Sequence, residues 1–139
     1  MWFRAQNEVV KAVSWSSFVD RSSSRCNLIA FSGRLGAIFI AHDSSRKWSP
    51  IQAFAESHGN EVTALEFNPT KPWLLASAST DFSIRVWDCL KMVCVCIIVQ
   101  TLSPFGAVTS LSWAPPCEET ADKLFCAYNT FEIREFVLD

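Results

Sequence analysis

His58, Ser77 and Asp81 are the residues of this chain whose types most suggest chemistry. An imidazole, a hydroxyl and a carboxylate can form a relay in which the ring takes the hydroxyl proton and the carboxylate orients the ring. A nucleophilic serine, however, needs an exposed turn. Ser77 lies inside Trp73-Leu74-Leu75-Ala76-Ser77-Ala78-Ser79, a run with strand character. No phosphate-binding glycine loop and no paired acids in a turn accompany the set. The three groups therefore read as structural, and no catalytic residue is expected.

Metal and redox chemistry fare no better. The six cysteines stand at 26, 89, 94, 96, 117 and 126, with no CxxC among them, and neither His42 nor His58 has a second histidine nearby. No metal site and no cofactor are expected. Cys94 and Cys96 are two apart in a strand-like run, which places both on one face of a sheet. All six read as small buried hydrophobes kept reduced inside a cell.

The totals agree with a binding module. Half of the 139 residues are hydrophobic, 19% are charged and the net charge is -2, which excludes disorder and gives no basic footprint for nucleic acid. Met1 to Val10 has no apolar core segment and does not read as a signal peptide. The longest apolar run, Met92 to Val99, is far short of the ~20 residues that span a bilayer. An intracellular protein without membrane contact is expected. With 6 Trp and 11 Phe, the chain has the flat side chains that fill half-buried sheet surfaces.

The elements that must position His58, Ser77 and Asp81 emerge from a repeat. Val62 to Phe67 alternates with period 2, and its Glu66 is expected on the solvent side. Asn68 to Pro72 is a turn cluster with two prolines. Trp73 to Ser79 is a second strand, Thr80-Asp81 a tight turn, Ser83 to Trp87 a third strand and Lys91 to Val99 a fourth. Upstream, Val9 to Trp15, Asn27 to Phe31, Ala37 to Ala41 and Ile51 to Phe54 repeat the pattern. Downstream, Val108 to Trp113, Lys123 to Tyr128 and Glu132 to Phe136 repeat three of the four strands. VKAVSW, VTALEF and VTSLSW each begin a unit, with steps close to the ~40–45 residues of a propeller blade. The expected fold is all-β: a partial β-propeller of about three four-stranded antiparallel blades. Its blades fall near residues 7–55, 58–100 and 105–139 of a single region 1–139. Three blades are fewer than the ~4–8 of a closed ring. The ring is expected to be open, the bare end faces to promote self-association, and Glu132 to Phe136 to offer a free edge.

The middle unit resembles a WD repeat, which implies a hydrogen-bonded tetrad of His58, Ser77, Asp81 and Trp87. In the outer units, Ala30, Arg34 and Ile40, and then Cys126, Thr130 and Phe136, stand where Ser, Asp and Trp would be. Within that family the stretch Glu8 to Asp88 is similar to the extra sex combs / embryonic ectoderm development proteins. The likeness rests on the Trp15 strand, Asn27-Leu28-Ile29-Ala30, His58-Gly59-Asn60, Leu65-Glu66-Phe67-Asn68-Pro69 and Trp73-Leu74-Leu75-Ala76-Ser77. It implies a non-catalytic nuclear scaffold of a Polycomb-type histone H3 lysine methyltransferase, with a SET-domain methyltransferase and the histone H3 tail as partners. Such proteins read trimethyl-lysine in an aromatic cage. A cage position corresponds to Lys11 here, whose charge would repel that ligand.

Two alternatives remain: a substrate receptor of a cullin ubiquitin ligase, and a WD-repeat fragment with no independent function. Such receptors often carry Trp-Asp-x-Arg, whereas Trp87-Asp88-Cys89 runs into Leu90. Partner-binding candidates are Trp48, Trp73, Phe82 and Phe105, aromatics at strand ends or turns, together with Asn60 and Thr80 beside the tetrad.

Overall fold

The computed structural model describes residues 9–44, 47–99, 106–116, 122–130 and 132–138. Among them are twelve strands and no helix. The strands are β1 (Val10–Val19), β2 (Arg25–Gly33), β3 (Ile38–Ser44), β4 (Lys47–Trp48), β5 (Gln52–Ala53), β6 (Val62–Phe67), β7 (Leu74–Ser79), β8 (Ser83–Asp88), β9 (Val93–Val99), β10 (Val108–Trp113), β11 (Asp122–Tyr128) and β12 (Ile133–Leu138). They form three antiparallel sheets, none closed on itself. Their orders are β1-β2-β3-β4 with β5 also on β3, then β6-β7-β8-β9, then β10-β11-β12. This is the architecture of a partial WD propeller. Short connections explain the meander, because adjacent antiparallel strands need only a tight turn.

The leading strands share a defect. β1, β6 and β10 are each bulged at the same step, between Val10 and Ala12, Val62 and Ala64, and Val108 and Ser110. The extra residue turns Thr63 outward, and its hydroxyl donates to the Val108 carbonyl of the next sheet at 2.6 Å.

Stacking buries two cores. Ala12, Leu28, Ala30, Ile38, Ile40 and Phe54 of the first sheet meet Val62, Leu65, Phe67, Leu75 and Trp87 of the second. The opposite face of the second, with Ala76, Ala78, Ile84 and Val86, meets Val108, Leu111, Trp113, Leu124, Cys126 and Tyr128 of the third. At the second junction an alanine-bearing face receives an aromatic-bearing one, whereas at the first Phe54 packs on Trp87 with ring centroids 4.6 Å apart. Each buried Leu or Ile contributes about 1.5–3 kcal/mol of transfer free energy.

Several expectations need correction. The fourth strand of the first unit is not one strand over Ile51 to Phe54. It is split into β4 and β5, two residues each, because Pro50 withholds a donor between them. Val13 faces Phe31, as Leu65 faces Ser77 and Leu111 faces Cys126. Phe31 in turn pairs with Phe39, and Ile29 with Ala41. The places of Ser77 and Trp87 are thus held in the first sheet by Phe31 and Ala41. Ala30 and Ile40 are one residue away, which puts them on the opposite face. In the third sheet, Cys126 and Phe136 hold those places.

Cys94 and Cys96 do not share a face. A bulge at the step opposite Val86 and Trp87 inserts Val95, so Cys94 packs into the first core and Cys96 into the second. Glu66 does not point freely to solvent either. It turns toward the third sheet, where its Oε2 is buried with no hydrogen-bond partner.

Candidate functional site

The turn from β7 to β8 and the loop before β6 meet at one end of the second sheet. Trp87 is carried inward by β8 and is fully buried. Its indole Nε1 donates to Ser77 Oγ at 2.8 Å, a hydroxyl brought diagonally across the strands by the β7–β8 pairing, in which Trp87 faces Leu75 and Ser77 faces Arg85. Ser77 Oγ lies 2.6 Å from His58 Nε2, and His58 Nδ1 lies 3.1 Å from Asp81 Oδ2. The ionised Asp81 can only accept, which assigns the ring proton to Nδ1, and the Ser77 hydroxyl, while accepting from Trp87, donates to the bare Nε2.

Asp81 collects more than the ring. Its Oδ2 accepts the Gly59 amide at 2.8 Å, and its Oδ1 accepts the Ser83 amide at 2.8 Å and the Ser83 hydroxyl at 2.6 Å. Burial alone would raise the Asp81 pKa, but the donors from Ser83 and Gly59 and the nearby His58 outweigh it and lower it to about 2. Burial pulls the His58 pKa below its usual value, more than the Asp81 charge raises it. The ring is therefore neutral at pH 7, and its contact with Asp81 is a hydrogen bond rather than an ion pair.

Two parts of this arrangement were not foreseen from sequence. Ser83 is one, yet an Asp followed two residues later by Ser signals a local side-chain turn. The same pattern at Asp20 and Ser22 gives the same bonds, 2.8 Å from the amide and 2.7 Å from the hydroxyl. Gly36 is the other. Its carbonyl accepts the His58 amide at 3.0 Å, its φ is +85°, and a Cβ there would collide with the His58 carbonyl oxygen.

The remaining candidates do not converge on one surface. Asn60, Thr80 and Phe82 share the end that carries His58. Asn60 accepts Ser79 Oγ through its carbonyl at 3.1 Å, and the Thr80 amide donates to Glu61 at 2.9 Å. Phe82 is 49% exposed, at a φ of +64° that L residues seldom adopt. Trp73 lies at the other end of β7, edge-on to Phe18 at 6.4 Å. Trp48 is half-buried on β4, paired with Asp43 of the first sheet. Phe105 lies outside the described residues. Lys11 is exposed on β1. No cluster of three metal-ligating side chains occurs among the described residues.

Comparison with known proteins places this geometry. Residues 48–88 match the family described as WD domain, G-beta repeat. The match begins at Trp48 of β4 and takes in β5 and the three strands β6 to β8, so the matched segment spans the junction between two sheets and includes His58, Ser77, Asp81 and Trp87. Similar to the chain are the histone acetyltransferase type B subunit 2 of Debaryomyces hansenii, 35% identical over 42% of this chain and 17% of its own length, and the Polycomb group protein FIE2 of Zea mays, 27% identical over 79% of this chain and 27% of its own length. A solved humanized mutant of the Chaetomium thermophilum Polycomb Repressive Complex 2, bound to the inhibitor GSK126, superposes over 98% of this chain and 28% of the matched chain, with a TM-score of 0.73 and 22% identity. The chain thus spans less than a third of the length of these relatives.

Proposed function

We propose that this chain is a non-catalytic interaction scaffold of a chromatin complex of Polycomb type, acting in the nucleus. The observation that carries the non-catalytic part is the consumption of the polar set. Ser77 is fully buried, His58 is 2% exposed, and the donors and acceptors that join them to Asp81 and Trp87 are spent on one another. A hydroxyl so placed has no path to a substrate, and its function is to hold β7, β8 and the His58 loop together. The Polycomb part is supported by the likeness to FIE2, which runs over 111 residues and so exceeds the WD repeat alone. Its partners would be a SET-domain methyltransferase and the histone H3 tail, without direct contact to nucleic acid or membrane.

Tagged chain expressed in nuclei, recovered and analysed by mass spectrometry, should bring down a SET-domain methyltransferase. Recovery of a cullin-ligase adaptor in its place would overturn the Polycomb reading, although Leu90, where a docking arginine would stand, disfavours it. The exposed cation of Lys11 goes with a scaffold that binds unmodified and trimethylated histone peptides alike. Selective capture of the trimethylated peptide would oppose that part.

A further inference from the structure

We propose that β9 is a pairing edge through which two copies of this chain join, antiparallel, into a closed dimer. β9 ends its sheet, and no described strand pairs with its outer side. An unpaired edge offers a row of free N–H and C=O groups, and proteins blunt such edges by shortness, by charge or by a bulge. The other outer edges here are blunted in those ways. β4 and β5 have two residues each. β12, the edge foreseen from sequence, carries Arg134 and Glu135, both exposed. β9 is seven residues long, Val-Cys-Val-Cys-Ile-Ile-Val, with no charge, proline or glycine. Val93, Val95, Ile97 and Val99 are 45%, 53%, 48% and 58% exposed, so the side chains flanking the edge are also bare.

The sequence of β9 selects the occupant. When a strand pairs antiparallel with its own copy, a two-fold axis sets residues opposite one another symmetrically. About Ile97, Val95 would face Val99 and Cys96 would face Ile98. In that register every opposed pair is aliphatic or thiol, so no like charges meet and β-branched side chains pack across the strands. A charged or polar partner strand would find no complement here. The bulge at Val95 twists one end of the edge, and Cys96 to Val99 remain regular. An isologous contact consumes the edge on both copies, so assembly stops at two. Stacking through the outward face of the first sheet, where Val13 and Trp15 are each 67% exposed, would be head-to-tail and open-ended instead.

Light scattering of the 139-residue chain over a wide concentration range should show a monomer–dimer equilibrium. Ile97→Lys and Val95→Lys should each weaken it roughly tenfold or more, because equivalent lysines would meet across or beside the axis. Val13→Lys should leave the dimer unchanged. Circular dichroism and melting report whether each variant is folded. Hydrogen exchange of the unmodified chain provides a reading that needs no variant, since β9 amides should gain protection as concentration rises while β12 amides do not. A chain that stays monomeric, β9 amides indifferent to concentration, or a dimer dissolved by Val13→Lys but not by Ile97→Lys would each overturn the proposal. So would open-ended oligomers.

Discussion

Trp87 and His58 share one oxygen: the indole N–H reaches Ser77 Oγ at 2.8 Å, and His58 Nε2 lies 2.6 Å from the same atom. Ser77→Ala would leave a buried donor and a buried acceptor unpaired. The expected loss is ~1–3 kcal/mol of stability for the group left unsatisfied. Ser17→Ala, an exposed change on β1, should cost within about 0.5 kcal/mol. Denaturant midpoints for the two variants check this, and equal midpoints would mean that the linkage contributes nothing.

His58 gives the stability a pH dependence of known sign. Its pKa is lowered in the folded protein, so the unfolded chain binds the proton more readily. Stability is therefore complete above the ordinary histidine value of ~6.5 and declines as the pH falls below it. Asp81, lowered to about 2, adds a second loss between the ordinary carboxylate range and that value. Denaturation midpoints from pH 7.5 downward should show the first decline, and His58→Asn should flatten it.

Glu66 works in the opposite sense. Burial raises its pKa above the ordinary value, a rise that a hydrogen bond from the Trp113 backbone only partly offsets, and the Trp113 indole donates to the Glu66 backbone carbonyl. A raised carboxylate contributes stability below the unfolded value and loses it as the pH rises through the folded one. At pH 7 the charge is thus a penalty. Glu66→Gln should raise the melting temperature at pH 7, and the gain should shrink toward zero near pH 4. A lower melting temperature at pH 7 would contradict the placement of this side chain.

Gly36 admits no side chain. With φ at +85° and the His58 carbonyl against it, Gly36→Ala must move the loop that carries His58. The expected cost is ~1–3 kcal/mol for the strained backbone alone. Calorimetry checks it, and a neutral substitution would mean that the two loops are not held together.

The cysteines should divide by burial. Cys26, Cys89, Cys94, Cys96 and Cys126 are free. Burial pushes the Cys126 thiol up to about 12 and raises Cys89 further still, and the nearby Asp88 adds to the rise at Cys89. Thiolate, not thiol, reacts with alkylating agents. Iodoacetamide on the native protein should leave Cys89 and Cys126 unmodified, whereas denatured protein without reductant should give six thiols. Cys117 lies outside the described residues and enters only through that total.

Much of the fold was legible because period-2 alternation survives in each leading strand. Val62 to Phe67 and Val108 to Trp113 begin and end where the alternation does. His58 and Asp81 were visible because buried polar groups keep fixed types. Bulges were not legible, since one extra residue leaves no mark in composition yet reverses every side chain beyond it. That is why Cys94 and Cys96 were assigned to one face; Ala30 and Ile40 were read for Phe31 and Ala41 because the hairpin from β1 to β2 is longer than that from β6 to β7, which hides the register. Glu66 escaped because its fate is set by the Trp113 sheet, 47 residues away in sequence. Gly36 escaped because a close approach between loops has no local signature.

The stacking of alanine against aromatic gives the assembly a direction. Ala76 and Ala78 share one core with Trp113 and Tyr128, while Phe67 and Trp87 line the other face of the same sheet. The second sheet therefore has a side of small residues and a side of bulky ones. A sheet turned over would set bulk against bulk at one junction and leave a void at the other, and packed interiors tolerate neither. The order of the sheets is thus written in side-chain volume, like teeth cut to engage one way, and would persist even if the loops that join them were redrawn.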